Sequence, residues 1–227
     1  INKGVKIVFT SAGSPKKYTA RFHEAGIKVA HVVSSSKFAK KCEEAGVDAI
    51  VAEGFEAGGH NGREELTTMV LIPQVCEVTT LPIIAAGGIA SGKAIVAAQA
   101  LGAEGVQIGT LFAASEESSA SEAFKEYCIK LGEEDTMLAL KKISPSRLAK
   151  NALYNKIKEA EDNGADATTL KNILGDKSTK RGIFEGDIEN GEIEIGQAVT
   201  AIKQIQPVKD IISNLISDYN ATLLRMR

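Results

Sequence analysis

The sequence predicts an α/β fold built from parallel βαβ units, on three observations. Short β-rich runs alternate with amphipathic stretches over the first 120 residues. The runs are nearly continuous in apolar residues rather than alternating, which suits strands buried on both faces, as in parallel sheets. Glycine punctuates the return from helix to strand at Glu24-Ala25-Gly26, Glu44-Ala45-Gly46 and Ala100-Leu101-Gly102. A glycine just past a helix takes the left-handed conformation that closes it, and the next strand starts at once.

In chain order, the strand candidates are 5–10 (VKIVFT), 27–33 (IKVAHVV), 48–53 (DAIVAE), 82–86 (PIIAA) and 105–109 (GVQIG). Helices are expected at about 15–25, 36–45, 67–78 and 91–101. Beyond residue 115 the texture turns polar and charged. Residues 116–180 read as mostly helical, interrupted at Ser144-Pro145, with no strand candidate of comparable quality. The Gly- and charge-rich stretch 175–192 reads as loop with short turns. Two helices are expected to close the chain. The first, 196–206, is flanked by Ile195 and carries Val199, Ile202 and Ile205; the second, 207–226, carries Val208, Ile211, Ile212, Leu215, Ile216 and Tyr219. Spacings of three and four place one apolar stripe on each. The expected organisation is therefore 1–115 as βα units, 116–182 as a helical insertion or lid, and 183–227 as helices packing on those units.

The chain has 227 residues, enough to bury a sizeable core. Lys plus Arg is 27 against 29 Asp plus Glu, so no basic excess drives binding to a phosphate backbone, and nucleic acid is not expected as a partner. No run approaches the roughly 20 apolar residues of a membrane span. Cys42, Cys76 and Cys128 show no metal-binding spacing, and three sparse cysteines suit a reducing, cytoplasmic setting better than a disulfide scaffold. No metal is expected.

Two glycine groups stand out. Gly87-Gly88 ends one strand and Gly109-Thr110 ends the next. A parallel α/β barrel carries its site at the carboxyl ends of its strands, often with a phosphate held by the last two loops. Glycines let backbone N–H groups approach phosphate oxygens, and a helix N-terminus behind them adds a favourable partial charge. Ser91 can cap the helix that follows. Singly, these glycines fit tight turns equally well; two in succession point to phosphate. The second group is Glu53-Gly54-Phe55-Glu56-Ala57-Gly58-Gly59-His60-Asn61-Gly62. His60 lies among glycines that leave room for a planar ligand, and histidine serves as general base near neutral pH. The plainer alternative is a histidine bonded to its own loop. Glu53 ends a buried strand, where an unpaired carboxylate is costly; a ligand group or a basic residue across the barrel would satisfy it. His23, near a helix end, reads as structural, and His31 as a core residue that could line the pocket.

These residues carry a resemblance. Gly46–Gly62 (GVDAIVAEGFEAGGHNG), Leu81–Phe112 (LPIIAAGGIASGKAIVAAQALGAEGVQIGTLF) and Val8–Pro15 (VFTSAGSP) resemble the nitronate monooxygenase family. Ile183–Gln197 (IFEGDIENGEIEIGQ) is similar to the tail of its relative, the flavin-dependent enoyl-acyl-carrier-protein reductase II. The resemblance implies an FMN-binding (β/α)8 TIM barrel with a helical C-terminal extension. It implies that Gly87, Gly88, Gly109 and Thr110 hold the FMN phosphate, that Glu53, Gly58, Gly59 and Gln107 lie along the flavin or its ribityl chain, and that His60 is the active-site histidine. The activity implied is oxidation of alkyl nitronates with oxygen, or else NAD(P)H-dependent reduction of an enoyl thioester; a folded fragment without catalysis is the alternative of another class. The substrate is a small molecule in either enzyme, and the tail stripes could pack on the barrel or on a second copy.

The family's Gly-Pro-Met-type opening strand and its flavin-contacting Asn do not occur in these residues. The phosphate corner belongs to the last two strands of such a barrel and here follows the fourth and fifth candidates. The five are thus expected to be strands four to eight, with edges near Val5 and Gly105. Strands one to three, about 90 residues at roughly 30 per βα unit, are expected upstream of Ile1.

Overall fold

A computed structural model describes residues 1–226. Its elements run β1 (Ile7–Thr10), α1 (Thr19–Glu24), β2 (Lys28–Val33), α2 (Ser36–Glu44), β3 (Ala49–Glu53), β4 (Gly59–His60), α3 (Thr68–Cys76), β5 (Ile83–Ala86), α4 (Gly92–Ala100) and β6 (Gly105–Gln107). There follow α5 (Thr110–Ala113), α6 (Glu122–Cys128), β7 (Thr136–Ala139), β8 (Ser146–Ala149), α7 (Ala152–Asp162), α8 (Ala167–Leu174) and α9 (Val208–Arg225). All five strand candidates are strands. They form one parallel sheet in the order β1-β2-β3-β5-β6, so β1 and β6 are its edges.

Alternation along these strands explains their continuous apolar character. Val29, Val33, Ile50, Ala52, Ile83 and Ala85 face the helices, where they pack with Ala39 and Cys42 of α2 and with Leu71, Ile72 and Val75 of α3. Ala30, Val51 and Ala86 lie on the opposite face, with Val32 and Ile84 packed against them. Ile7 and Phe9 of β1 alternate with Val8, which packs against the helix side, and both are more than half exposed. The three expected closing glycines have positive φ: 69° at Gly26, 76° at Gly46 and 109° at Gly102. Ser91 caps α4 as expected, accepting the N–H of Ala94 at 3.1 Å.

The region 116–182 departs from the helical expectation. It holds α6, α7 and α8, but also the hairpin β7–β8, which pairs antiparallel with β4 into a second sheet ordered β4-β8-β7. Ser144-Pro145 is the hairpin's loop and not a helix break. The strands are four residues each, and β8 is buried throughout, so neither length nor alternation marks them. The expected helix 196–206 is a 3-10 turn over Gln197–Ala201 followed by extended chain. Most of its stripe is nonetheless buried: Ile195, Val199 and Ile202 join Phe124 and Cys128 of α6 in one core, while Ile205 is half-buried outside it. The bias toward extended backbone imposed on the residue before Pro207 disfavours carrying the turn on to it. The stretch 175–192 contains one π-helical turn, Lys180–Phe184. The last helix, α9, forms where expected and packs on α4. Among the described residues no helix is long and apolar enough to cross a membrane.

Candidate active site

The loops at the carboxyl ends of β3, β5 and β6 meet at one corner. Thr68, at the start of α3, ties the first two: its N–H and hydroxyl donate to the Glu56 carboxylate at 2.9 and 3.0 Å, and its hydroxyl also reaches Gly87 O at 2.9 Å. Gly87 turns at φ 94° with its α-carbon packed so closely on Gly54 that a Cβ would lie 2.8 Å from Gly54 O. Close approach to the neighbouring loop, together with positive φ, accounts for this glycine. Gly109 is different. Its φ of −94° suits any residue, and a Cβ there would meet no atom within 4 Å.

A cavity of about 230 Å³ opens at this corner, lined by Glu53, Gly58, Gly87, Gly88, Gln107, Gly109 and Thr110 together with Glu194 and Gly196 of the tail. A larger cavity of about 730 Å³ lies beside it, with His60, Asn61, His31 and Phe38 in its wall. Glu53 lines both. Of the candidate site residues, Glu53, Gly58, His60, Gly87, Gly88, Gln107, Gly109 and Thr110 line one or other of these two spaces, whereas Gly59 lines neither. The structure adds Glu194 and Gly196, which composition and spacing did not mark, because they come from a segment with no regular structure.

Glu53 meets no hydrogen-bond donor among the described residues, and burial pushes its carboxyl up to about 7. His60 sits at the end of β4, held by pairing with Ser146 of β8, while Asn61 donates from its backbone to Pro145 O at 2.8 Å. Its Nδ1 lies 3.5 Å from Glu194 Oε1. The carboxylate raises the imidazole above its usual range, against an opposing effect of burial. His31 bonds Thr10 Oγ1 through Nδ1 at 2.7 Å, and burial lowers it; it is both a core residue and part of the cavity wall. His23 pairs with Asp48 at 2.8 Å on the far side, the structural role expected of it. Beneath the loop, the fully buried Arg147 of β8 donates through Nε and a terminal nitrogen to Phe55 O at 3.1 and 2.9 Å, and stacks on the Phe55 ring.

The family model for nitronate monooxygenase matches residues 1–218, nearly the whole chain. The chain belongs to the nitronate monooxygenase family. Within the family and its structural neighbours, it is 35% identical over 231 residues to a probable nitronate monooxygenase of Staphylococcus aureus strain MSSA476, a match covering 97% of this chain and 64% of that protein. It therefore spans somewhat under two thirds of that curated relative. FabK from Thermotoga maritima superposes over all of this chain and 72% of its own, at a TM-score of 0.94 and 40% identity. A nitroalkane oxidase from Streptomyces ansochromogenes superposes over all of this chain and 67% of its own, at a TM-score of 0.83 and 25% identity.

Proposed function

We propose that the chain forms the flavin-binding part of an FMN-dependent oxidoreductase, with its five parallel strands standing as strands four to eight of a (β/α)8 barrel. The residues present fit the cofactor. The room left at Gly109 is not required by the chain's own packing, and it opens into the cavity at the glycine corner. The N–H groups of Gly88, Gly109 and Thr110 lie at that corner outside the strand ladder, and the first N–H groups of α5 have no partner within the helix. Glu53, Gly58, Gly59 and Gln107 would flank the rest of the flavin, where Glu53 has a free carboxyl to offer a ring or ribityl group. Bound there, FMN supplies two-electron redox chemistry.

The chain's own contribution is a proton and a shaped cavity. One observation carries the reading: His60 stands at the wall of the larger cavity with its Nδ1 3.5 Å from the Glu194 carboxylate, which favours the protonated ring. Reduction of an enoyl thioester needs a proton delivered to the carbon beside the carbonyl, a task for a histidine beside a carboxylate. The 40% identity to FabK and the similarity of the tail support this reading. Nitronate oxidation is the second reading, favoured by the S. aureus relative. There His60 acts as a base, and only towards neutral nitroalkanes, because a preformed nitronate has already lost its proton.

The test uses the purified protein. It should purify with a flavin spectrum and consume NAD(P)H when a short enoyl thioester is added without oxygen. Nitronate-dependent oxygen uptake with no enoyl-dependent NAD(P)H consumption selects the second reading. A colourless protein that takes up no added FMN overturns both and leaves a non-catalytic fold.

A further inference from the structure

We propose that Glu194 is the positioning residue of this site: from the C-terminal tail its carboxylate fixes the ring of His60 and governs the proton that ring exchanges with substrate. The proposal rests on the reading of His60 as the proton-transferring group.

Four features build the pair. First, Glu194 stands between Ile193 and Ile195, which are 1% and 0% exposed in the core shared with α6. In extended chain, neighbouring side chains point to opposite sides, so anchoring the two isoleucines aims the glutamate at the site. Second, the next two residues are tied across it. Gly196 N–H donates to Thr110 Oγ1 at 3.0 Å, and Gln197 N–H to Glu56 O at 2.9 Å. Third, Gly58 is pressed against this segment, a Cβ there lying 2.4 Å from the Ile195 carbonyl carbon. Fourth, Gly59 has φ 74°, and a Cβ on it would lie 3.3 Å from the Glu194 carboxyl. The double glycine before His60 therefore makes room for the tail and its carboxylate.

The surroundings leave His60 as the partner. Among the described residues no Lys or Arg forms a salt bridge with Glu194. Arg147, across the β4–β8 pair, forms no ion pair with Glu194 and turns Nε and one terminal nitrogen to Phe55 O. Glu192, the next carboxylate on the tail, accepts from Ser178 and Thr179 at 2.7 and 2.9 Å and adds a weaker pull on His60 in the same direction. Around the larger cavity the other titratable groups are Glu53, His31, Lys16, Lys41 and Glu44, together with the Cys42 thiol. With Nδ1 turned to the carboxylate, Nε2 is the nitrogen left to meet substrate.

The experiment follows the His60 ring by NMR titration in the full-length protein, wild type against Glu194→Gln. In the glutamine variant the His60 midpoint should fall by on the order of one pH unit. The pH profile of turnover should shift by the same amount in the same direction. Glu194→Asp, which keeps the charge and shortens the reach, should fall between the two, and it carries the test if the glutamine variant does not fold. An unmoved midpoint in the variant that folds overturns the proposal. A midpoint that moves while His60→Asn turns over at the wild-type rate leaves the pair standing and sinks the proton-transfer reading instead.

Discussion

His60 and Glu53 face the same space and respond to it in the same direction for opposite reasons. A carboxylate neighbour favours the charged imidazole, whereas burial without a partner disfavours the charged carboxylate. Two outcomes follow. His60→Asn should leave flavin binding intact, because Gly87, Gly88, Gly109 and Thr110, proposed to grip the phosphate, stand on other loops. It should cut turnover by about 10²- to 10⁴-fold, the usual range for a lost proton-transfer group, as read by flavin absorbance and steady-state rates side by side. For Glu53 the sign runs against high pH. Below pH 4.5 the group is protonated folded or unfolded. As pH rises from there the unfolded chain ionises first, so stability falls until the folded carboxyl ionises at about 7, and the deficit then stays constant. A shift from 4.5 to about 7 corresponds to about 3 kcal/mol. Glu53→Gln should therefore gain stability over wild type at pH 8 but not at pH 4.5, measured by urea unfolding of the ligand-free protein. An equal difference at both values would remove the desolvation argument. The sequence made both residues legible, since a charged group at the end of an apolar run and a histidine among glycines are local signals. Glu194 was not legible, because its role depends on a contact between residues far apart in the chain.

Among the elements, the parallel strands and the helices packed on them could be read from apolar runs and closing glycines, while the hairpin β7–β8 could not. Its four-residue strands are defined by pairing with Gly59–His60, a tertiary fact, and its all-buried β8 shows no period of two. The stripe Ile195, Val199, Ile202 was correctly read as buried but wrongly as helical, since a spacing of three to four also suits a 3-10 turn running into extended chain. The contact between α4 and α9 gives a sharper test. Gly92 opens α4 so close to α9 that a Cβ would lie 2.0 Å from Tyr219 N. Asp218 accepts the N–H of Lys93 at 3.0 Å, and the Tyr219 hydroxyl donates to Gln99 at 2.8 Å. Gly92→Ala must push the two helix backbones apart. We expect a loss of about 3 kcal/mol, the upper range for overpacking, with amide exchange rising along α9 ahead of the sheet strands. Unchanged exchange in α9 would mean that this helix is not held by the close approach.

Over the whole molecule, the parallel sheet ends on β1 with Ile7 and Phe9 exposed on the face that carries Ala30, Val51 and Ala86. An apolar, unpaired strand edge is a template for association. This 227-residue chain on its own should self-associate with concentration in sedimentation velocity, and Phe9→Lys should reduce that association; equal behaviour of the two would show that another surface is responsible. The site is equally a property of the whole chain. Glu53, Gly87, Gly109 and Glu194 converge from four separate stretches. The tail bond from Gly196 to Thr110 has a consequence for the order of events during synthesis. A nascent chain leaves the ribosome with β3, β5 and β6 long before Glu194 exists, and domains fold as they emerge. The glycine corner can therefore form early, but its outer wall and the charge beside His60 arrive only when the tail is made and docked. A chain stalled short of Glu194 would carry an open corner beside an uncoupled histidine, so the order of synthesis sets the order in which the site is assembled.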